Sequence, residues 1–459
     1  MSTFTYITKL KRMTCVLATL SILTFPGPFM STSPAAAERL FYISPSGNDS
    51  NPGTESAPWK TIGKAARTLV SGDTAIVMDG TYTEPEIVFR NSGTSTQPIT
   101  VRAQNKHQAI LSSTSGCSPN ISIYASYVTI EDLRSSISPS NVPCSSVNSA
   151  SGTAVRCWSA STPSTSSQSS GHVGCKVRGM LIDASPARGH GVKTSQDFSV
   201  VENCVSYSGI EAFNNNGTIF RNNIVLGSDA WGTSMVAKGG VRNFQAYNNR
   251  IHIRSAWGYG IVLGGASGSQ WLYDPPSGLE AYNSVAYNNV VMNENGSTAY
   301  SIGMRGAKDS VILNNVMIGG YLFLSPGYSG FPSTNPTIKN NIFTCLSGNV
   351  VGQWSYSGTL NVDYNNFYNC SAPPTQIHPI IGNPLFVDSQ SDWHLTSGSP
   401  AIGKGTPIQM NGFNGEIITV NMDKDGKVRT VPWDLGIYAI SGMAADTTAP
   451  ARPIIVRIE

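Results

Sequence analysis

Cationic side chains flank one acidic residue in the middle of this sequence. Lys193, Glu211 and Lys238 follow one another at intervals of 18 and 27 residues, and Arg305 lies further along. A row of cations suits a polymer that carries carboxylates, such as a chain of uronic acids. β-Elimination of such a polymer needs a group that neutralises the sugar carboxylate, a base for the neighbouring proton, and stabilisation of the leaving oxygen. These residues are candidates for that chemistry if the fold brings them together.

Lys238 is the candidate base, because the register inferred below places it between the cations Lys193 and Arg305. A lysine acts as a base only when its pKa is lowered, which neighbouring cations or removal from water achieve. Arg305 or Arg242 would hold the substrate carboxylate through paired hydrogen bonds. The sequence therefore predicts Lys238, Arg305 and Lys193 as catalytic residues.

Five further residues are predicted to bind substrate: Arg242, Glu211, His190, Trp271 and Tyr273. Glu211 and His190 lie near the lysines in the same register, and the two aromatic rings are candidate stacking platforms for sugars. Three structural alternatives stay open. Lys238 can be a solvated surface lysine, His190 can be structural, and Trp271 can pack its own loop onto the fold.

Six Asn-Asn pairs indicate a structural repeat that must position these residues. They begin at residues 222, 248, 288, 314, 340 and 365, at spacings of 26, 40, 26, 26 and 25. Removing about 14 residues from the long gap restores the period, and a fixed period of this size is typical of stacked repeats. Asn tolerates a positive φ, so each pair suits a sharp corner of the chain.

Each Asn pair lies beside β-branched or aromatic residues, which favour strands. The predicted fold is all-β: a single-stranded right-handed parallel β-helix, a solenoid with one turn per repeat. Counting back ten residues from the Asn positions places Phe213, Leu263 and Met304 in one column with the two lysines. We expect that column to face outward, with small and apolar residues such as Val192, Ala212, Ala237 and Val262 inside.

The two ends of the chain have different predicted roles. Residues 1–37 read as a signal peptide, with Lys9, Lys11 and Arg12 before an apolar run and three alanines at 35–37. Thr61 to Leu69 has helical spacing and is expected to cap the open N-terminal end of the solenoid. The β-helix domain is predicted over 38–440, followed by a linker-like tail at 441–459.

Two segments are predicted to leave the coil as surface excursions, at 134–171 and 264–280. The first is rich in Ser, Thr and Pro, with too little apolar content for a core, and the second contains Trp271 and Tyr273. Excursions on solenoids often project toward the binding face.

Cysteine positions are consistent with an exported protein, in which thiols can be oxidised. Seven of the eight cysteines lie after residue 37. Cys345 and Cys370 each follow an Asn pair by four residues, so stacking places them within disulfide range. We predict that they pair.

The opening at 41–82 and the segments "GNPLFVDSQSDWHLTSGSPAIGKG" (382–405) and "DKDGKVRTVPWDLGIYAI" (423–440) resemble exported bacterial right-handed β-helix proteins of the pectate-lyase-like superfamily. That resemblance implies the fold, which hosts lyases, hydrolases, epimerases and adhesins. Locally, "SMVAKGGVRNFQAYNNRIH" (234–252) is similar to the base-bearing rung of the chondroitinase-B and alginate lyase family, and Lys238 matches its base. Trp231 and Thr233 stand where that family has acidic calcium ligands, so calcium lacks a clear ligand set and the cofactor stays open.

The predicted function is that of a secreted or periplasmic polysaccharide lyase acting on a uronate-containing glycan. Two alternatives remain: a non-catalytic glycan-binding or cell-surface protein, and a uronate C5-epimerase. The expected partner is an acidic polysaccharide. A net charge of +3 is too small to indicate nucleic acid, no segment after residue 37 is apolar enough to span a membrane, and we expect a monomer.

Overall fold

The computed structural model of this protein describes residues 38–113, 118–136, 153–159, 171–183, 189–228, 232–255, 258–294, 296, 299–327, 330–346, 351–372, 375–415 and 417–440. Short strands in these segments stack in parallel and wind through three long sheets in a repeating order. The predicted all-β parallel solenoid is thereby confirmed. The predicted signal peptide at 1–37 and the predicted tail at 441–459 lie outside the described residues, as does much of the predicted excursion at 134–171.

Each turn of the coil passes from the first sheet to the second and then to the third. The first sheet contains Arg39–Ile43, Asp73–Val77, Ile99–Ala103, Val128–Glu131, Lys176–Arg178, Val200–Glu202, Ile219–Arg221, Gln245–Tyr247, Val285–Tyr287, Val311–Leu313, Thr337–Lys339 and Asn361–Asp363. The second sheet contains Gly80–Glu84, Ala109–Ser113, Arg134–Ser136, Leu181–Asp183, Val205–Ser206, Ile224–Val225, Arg250–Ile253, Val290–Asn293, Val316–Ile318, Ile342–Thr344, Asn366–Tyr368 and Ile380–Ile381.

The third sheet completes each turn. It contains Ile87–Phe89, Ile121–Ile123, Val155–Cys157, Val192–Thr194, Ile210–Phe213, Thr233–Lys238, Tyr259–Gly264, Tyr300–Arg305, Tyr321–Ser325 and Val351–Trp354. A short fourth sheet follows it on five turns, with Val241–Arg242, Ala281–Tyr282, Ala307–Lys308, Ser333–Thr334 and Tyr356–Ser357. Two strands lie inside the segment predicted as an excursion at 134–171: Arg134–Ser136 of the second sheet and Val155–Cys157 of the third.

Strand alternation decides which side chains enter the core. On the third sheet Ile210, Ala212, Met235 and Ala237 point inward and are at most 1% exposed, while the residues between them point outward. Side chains of adjacent strand residues face opposite sides of a sheet, which gives this pattern.

The predicted outward column needs a correction. Leu263 and Met304 are fully buried in the core, and Val262 lies on the outer side with Val236. Counting from the Asn positions failed because the number of residues between the third sheet and the next corner differs from turn to turn. A shift of one residue moves a strand side chain to the opposite face.

The corner between the first and second sheets is built from the Asn pairs. The first member of each of five pairs has a positive φ of 53–58°, as predicted, and Tyr364 takes that position on the last turn. The second member points inward and hydrogen-bonds to its equivalent on the next turn, with N–O distances of 2.9–3.0 Å. We call this row the asparagine ladder: Asn223, Asn249, Asn289, Asn315, Asn341 and Asn365.

Both ends of the coil carry additional elements. The helix Ile62–Thr68 begins after Thr61, whose hydroxyl accepts a hydrogen bond from the Lys64 N–H, and it buries Ile62, Ala65 and Ala66 against the core. Two antiparallel hairpins follow the last turn: Phe386–Asp388 with Asp392–Leu395, and Gln409–Asn411 with Ile417–Thr419.

The C-terminal segment returns along the Asn corner. The Lys424 ammonium donates to the Asn248 carbonyl, and the Arg429 guanidinium donates to the Asn288 side chain at 3.0 Å. Asn340 exchanges two hydrogen bonds with the backbone of Thr406. The outer Asn of several pairs therefore anchors this segment to the coil.

Disulfides join neighbouring parts of the coil. The predicted Cys345–Cys370 bond is confirmed, with Cα atoms 5.5 Å apart, and a second bond joins Cys157 to Cys175. Cys204 is buried with a free thiol. In the described part of the chain, no helix combines the length and apolarity that crossing a bilayer requires.

Candidate active site

The outer face of the third sheet brings together four of the residues selected from the sequence. In the backbone register of the sheet, Lys193 lies opposite Glu211 on the next strand, and Phe213 lies opposite Lys238 on the strand after it. Because strands stack in parallel register, residues far apart in the chain become neighbours. We refer to His190, Lys193, Glu211 and Lys238 as the charge cluster.

Glu211 is the centre of the charge cluster. Its carboxylate oxygens lie 2.8 Å from Lys193 Nζ, 3.0 Å from His190 Nε2 and 3.2 Å from Lys238 Nζ. The Glu211 side chain is 0% exposed and that of Lys193 only 4%, whereas Lys238 keeps 21% of its side chain accessible. Lys238 is therefore the member that a ligand in solution can reach.

The charge of Glu211 is maintained by its neighbours. Burial by itself raises the pKa of the Glu211 carboxyl, but the charges of Lys193, His190 and Lys238 outweigh it and hold the pKa well below its ordinary value. A buried carboxylate without such partners would be costly. Glu211 is consequently an anion at neutral pH and neutralises part of the positive charge around it.

Aromatic rings enclose the cluster. Lys193 Nζ lies 4.8 Å from the centre of the Phe213 ring and 5.6 Å from that of Trp158, close enough for cation–π attraction. Trp271 meets Phe213 edge-on at 6.2 Å. These rings restrict water around the ion pairs, which strengthens electrostatic interactions there.

The excursion at 264–280 supplies Trp271 and is anchored beside the cluster. It contains two short 3₁₀ helices, Ser269–Trp271 and Pro275–Ser277. Its last residue, Glu280, is fully buried and accepts hydrogen bonds from the backbone N–H groups of Gly239 and Ser267. Burial raises the pKa of the Glu280 carboxyl, while these hydrogen bonds and the charge of Lys238 lower it. Glu280 thus fastens both ends of the excursion to the strand that bears Lys238.

Arg305 lies on the same outer face, two turns beyond Lys238. Gly264 occupies the position between them, because it pairs with Arg305 and follows Lys238 in the stack. A side chain at Gly264 would strike the Arg305 backbone, and its φ of +98° disfavours any other residue. Gly264 is itself buried between the strands of Lys238 and Arg305, which are about 10 Å apart by turn spacing.

Arg242 and Tyr273 form a separate pair around the corner from the cluster. The Arg242 guanidinium stacks on the Tyr273 ring at 3.8 Å, and Arg242 is only 5% exposed on the fourth sheet. Burial lowers the pKa of the Arg242 guanidinium, and the charge of Asp197 acts in the opposite direction. The fold therefore places these two predicted substrate-binding residues beside the excursion rather than within the charge cluster.

The sequence reasoning missed Glu280, Trp158 and Arg156. Arg156 lies opposite Lys193 in the register of neighbouring strands, on the outer face. Trp158 follows two residues later on the same face. Both were overlooked because their strand lies inside a segment read as an excursion. The alternation in "AVRCW" was the available signal for a strand. Glu280 carried no local signal, since only the folded excursion brings it to Lys238.

Metal-binding side chains are not grouped at this site. Across the described residues, no set of three or more His, Cys, Asp or Glu side chains is arranged to hold a metal ion. Calcium takes six to eight oxygen ligands. The Glu211 carboxylate is surrounded by side-chain nitrogens instead, so the residues of the charge cluster do not fit calcium.

Comparison with known proteins gives one family and one curated relative. The model of the "Pel9A-like, right handed beta helix region" matches residues 41–290. The uncharacterized protein YwoF of Bacillus subtilis (strain 168) is 26% identical over 442 residues, covering 78% of this chain and 91% of YwoF.

Several solved structures have the same architecture. Pectate lyase Pel9A superposes with a TM-score of 0.53 at 15% identity, covering 87% of this chain and 96% of Pel9A. XylC in complex with xylose gives 0.51 at 11% identity, with 87% and 98% covered. The GH136 lacto-N-biosidase from Eubacterium ramulus gives 0.52 at 12%, with 75% and 68% covered. At these identities the likeness concerns the fold, which is one that carbohydrate-active enzymes use.

Proposed function

Because the chain belongs to the Pel9A-like right-handed β-helix family, we propose that it is a polysaccharide lyase that cleaves a uronate-containing glycan by β-elimination. Lys238 is the base in this proposal. The observation that carries it is the sharing of one buried carboxylate, Glu211, by two ammonium groups of unequal exposure.

Burial supports Lys238 over Lys193 as the base. Lys193 is nearly buried at 2.8 Å from Glu211, so its positive charge compensates the carboxylate. Lys238 lies 3.2 Å from Glu211 and keeps 21% of its side chain accessible, so it is the lysine that can contact a substrate. Lys193 lies in the same cluster, and a neighbouring cation favours the neutral, basic form of a lysine.

In the proposed reaction, a uronate ring contacts both Lys238 and Arg305. The Arg305 guanidinium binds the carboxylate of a uronate ring, which withdraws electrons from C5 and makes its proton more acidic. Lys238 Nζ takes the C5 proton, the C5–H electron pair forms the C4–C5 double bond, and the C4–O4 bond breaks. The leaving oxygen keeps the electron pair of the C4–O4 bond and takes a proton from water. Each of these steps uses a side chain of the protein or a water molecule.

Elimination leaves a double bond that absorbs ultraviolet light. We expect absorbance to increase when the full-length protein is incubated with pectate, alginate or a glycosaminoglycan, tested with and without added calcium. Lys238→Ala should reduce the rate by at least about 10²-fold, the contribution typical of a general base. Absence of any increase across these polymers and a wide pH range would refute the proposal.

Two controls sharpen this experiment. Lys308→Ala removes an exposed lysine on the fourth sheet and should leave the rate unchanged. Transfer of the reaction to deuterated water tests for epimerisation: deuterium at C5 of intact chains, without cleavage, would assign the same proton abstraction to a C5-epimerase.

Export of the protein is part of the proposal. Two disulfides among the described residues are consistent with an oxidising compartment, and residues 1–37 have the pattern of a signal peptide. Detection of the processed protein in the culture medium or periplasm tests this point.

A further inference from the structure

A histidine bridges the two elements that cover part of the second sheet. One element is the hairpin that contains the strand Asp392–Leu395, and the other is the segment 423–440, which we call the C-terminal strap. His394 lies on the hairpin, and its side chain contacts Asp425 and Tyr438 of the strap. The contacts of one side chain therefore join the hairpin to the strap.

Both ring nitrogens of His394 face carboxylates. Nδ1 lies 2.5 Å from an oxygen of Asp392, and Nε2 lies 3.1 Å from an oxygen of Asp425. The imidazole ring also stacks on the Tyr438 ring, with the ring centres 3.6 Å apart. Only a protonated imidazole can donate from both nitrogens, because the neutral ring presents a lone pair to one of the two carboxylates. The geometry therefore fits a positively charged His394.

The strap itself contributes further charged groups around this contact. Lys427 Nζ lies 4.0 Å from the Asp425 carboxylate, but its side chain is 63% exposed, so water screens that pair. Asp423 accepts hydrogen bonds from three backbone N–H groups of the strap. Lys424 donates to the Asn248 carbonyl on the coil, and burial lowers its pKa to about 8. Below that pH, each of these groups keeps its charge.

The coil contributes charged groups from below the hairpin and the strap. The Arg250 guanidinium donates to the Gln390 carbonyl of the hairpin at 3.3 Å and packs on the Trp393 ring at 5.1 Å. Glu294, at the end of the next strand, is paired with His252, whose pKa burial lowers. Since His252 also titrates near neutral pH, the contribution of His394 must be isolated by comparing variants.

The sign of the pH effect follows from the contacts of His394. Its hydrogen bonds to Asp425 and Asp392 outweigh burial and raise the pKa of His394 above its ordinary value. The stabilisation that His394 provides is therefore complete below its unfolded pKa of about 6.5, and it is lost as pH rises through the folded-state pKa. Lys424 has the opposite sign, because its lowered pKa makes its contribution more favourable as pH rises above about 8.

We propose that His394 is a pH-sensitive clamp, which holds the C-terminal strap to the hairpin in acidic solution and loosens it as pH rises. Loosening affects the coil, because the strap hydrogen-bonds to three turns at Asn248, Asn288 and Asn340. The clamp lies on the second sheet, so it is independent of the proposed lyase reaction on the third.

The test measures hydrogen–deuterium exchange of the full-length protein by mass spectrometry, between about pH 5.5 and 7.5, on either side of the ordinary histidine pKa. Rates are corrected for the intrinsic pH dependence of amide exchange. His394→Phe keeps a ring against Tyr438 but removes both N–H groups, so its strap should open more often than that of wild type in acid. The ratio of the two opening equilibria should fall as pH rises, by up to about tenfold per pH unit. Exchange in the third-sheet strand Thr233–Lys238 should be the same in both proteins.

Two further variants separate the clamp from a general loss of packing. Asp425→Asn keeps the imidazole and removes one of its anions, so strap opening should depend less on pH than in wild type. Asp388→Asn is the matched control, because this carboxylate lies on the same hairpin and binds Ser391 and the Gln390 backbone instead. It should show the pH dependence of wild type. A ratio between His394→Phe and wild type that is constant over the pH range would overturn the proposal, as would an unchanged pH dependence in Asp425→Asn.

Discussion

Two polar rows run along this solenoid, and they differ in every respect that matters for function. The asparagine ladder repeats one uncharged residue at the inner corner, and each amide bonds to the next at 2.9–3.0 Å. The outer row of the third sheet changes residue at each turn, and in the charge cluster two lysines and a histidine share one carboxylate. The comparison indicates that repetition stabilises the coil, whereas departure from the repeat creates the candidate site.

The difference has a physical basis. An amide has both donors and acceptors, so a stack of identical amides satisfies itself indefinitely. A stack of identical charges would repel itself, so charged residues must alternate with partners or be placed singly. A charged residue within a stack of equivalent positions therefore indicates a local departure from the repeat.

Glu211→Gln should give the largest effect, because it keeps the shape of the side chain but leaves the buried Lys193 without a counter-charge. We expect a loss of about 3–5 kcal/mol in the free energy of unfolding, together with loss of lyase activity. Urea unfolding followed by circular dichroism measures the first. Glu131→Gln, at a half-buried glutamate on the first sheet, is the control and should cost about 1 kcal/mol or less.

A change in the ladder should affect stability alone. Asn289→Ala removes hydrogen bonds to the backbone of Ala246 and Asn249 and to the side chains of Asn249 and Asn315. Leaving such buried groups unpaired costs about 3 kcal/mol in total. The rate per folded molecule should equal that of wild type, measured at a temperature where both are folded. A lower kcat would contradict the separation of the two rows.

The pH dependence of stability should distinguish the rows. The folded-state pKa of Glu211 is held below its unfolded value, so its contribution is complete above the unfolded pKa and is lost as pH falls through the folded one. The stability gap between wild type and Glu211→Gln should therefore narrow below about pH 4.5, by up to about 1.4 kcal/mol per pH unit. The gap between wild type and Asn289→Ala should stay constant over the same range, since amides do not titrate. Urea unfolding at pH 3 to 7 tests both expectations.

The smallest effect is expected at the outer member of an Asn pair. Asn222 is exposed and has a φ of 57°, so Asn222→Ala should cost about 1 kcal/mol through backbone strain. Asn222→Gly should be close to neutral because glycine adopts this conformation freely. Thermal unfolding of the two variants compares them directly, and equal losses would show that the Asn222 side chain, rather than its backbone, is what matters.

Much of the architecture could be predicted because its determinants are local. The Asn positions, the β-branched runs and the amphipathic segment at 61–69 each act within a few residues, and strand, corner and helix formed where they indicated. The neighbours Lys193 and Glu211 were predictable for the same reason, since adjacent turns of nearly equal length bring them together.

The prediction failed where turns differ in length. Leu263 and Met304 were placed outside although they lie in the core, and Glu280 was not connected to Lys238. Arg156 and Trp158 were also missed, because they fall in a segment with little apolar content. In each case the position of the side chain depends on how a connection of irregular length folds back onto the coil. No local sequence pattern predicts that path.

The amino-acid sequence by itself determined that this chain winds into a coil, because corner conformation and strand alternation are set by neighbouring residues. Only the tertiary structure decided which charges meet and how far each is removed from water. Glu211 has its properties because the turns on either side of its strand bury it between Lys193 and Lys238, which lie far away in the chain. The energy of a charge depends on its surroundings in space, and those surroundings exist only after the turns have stacked.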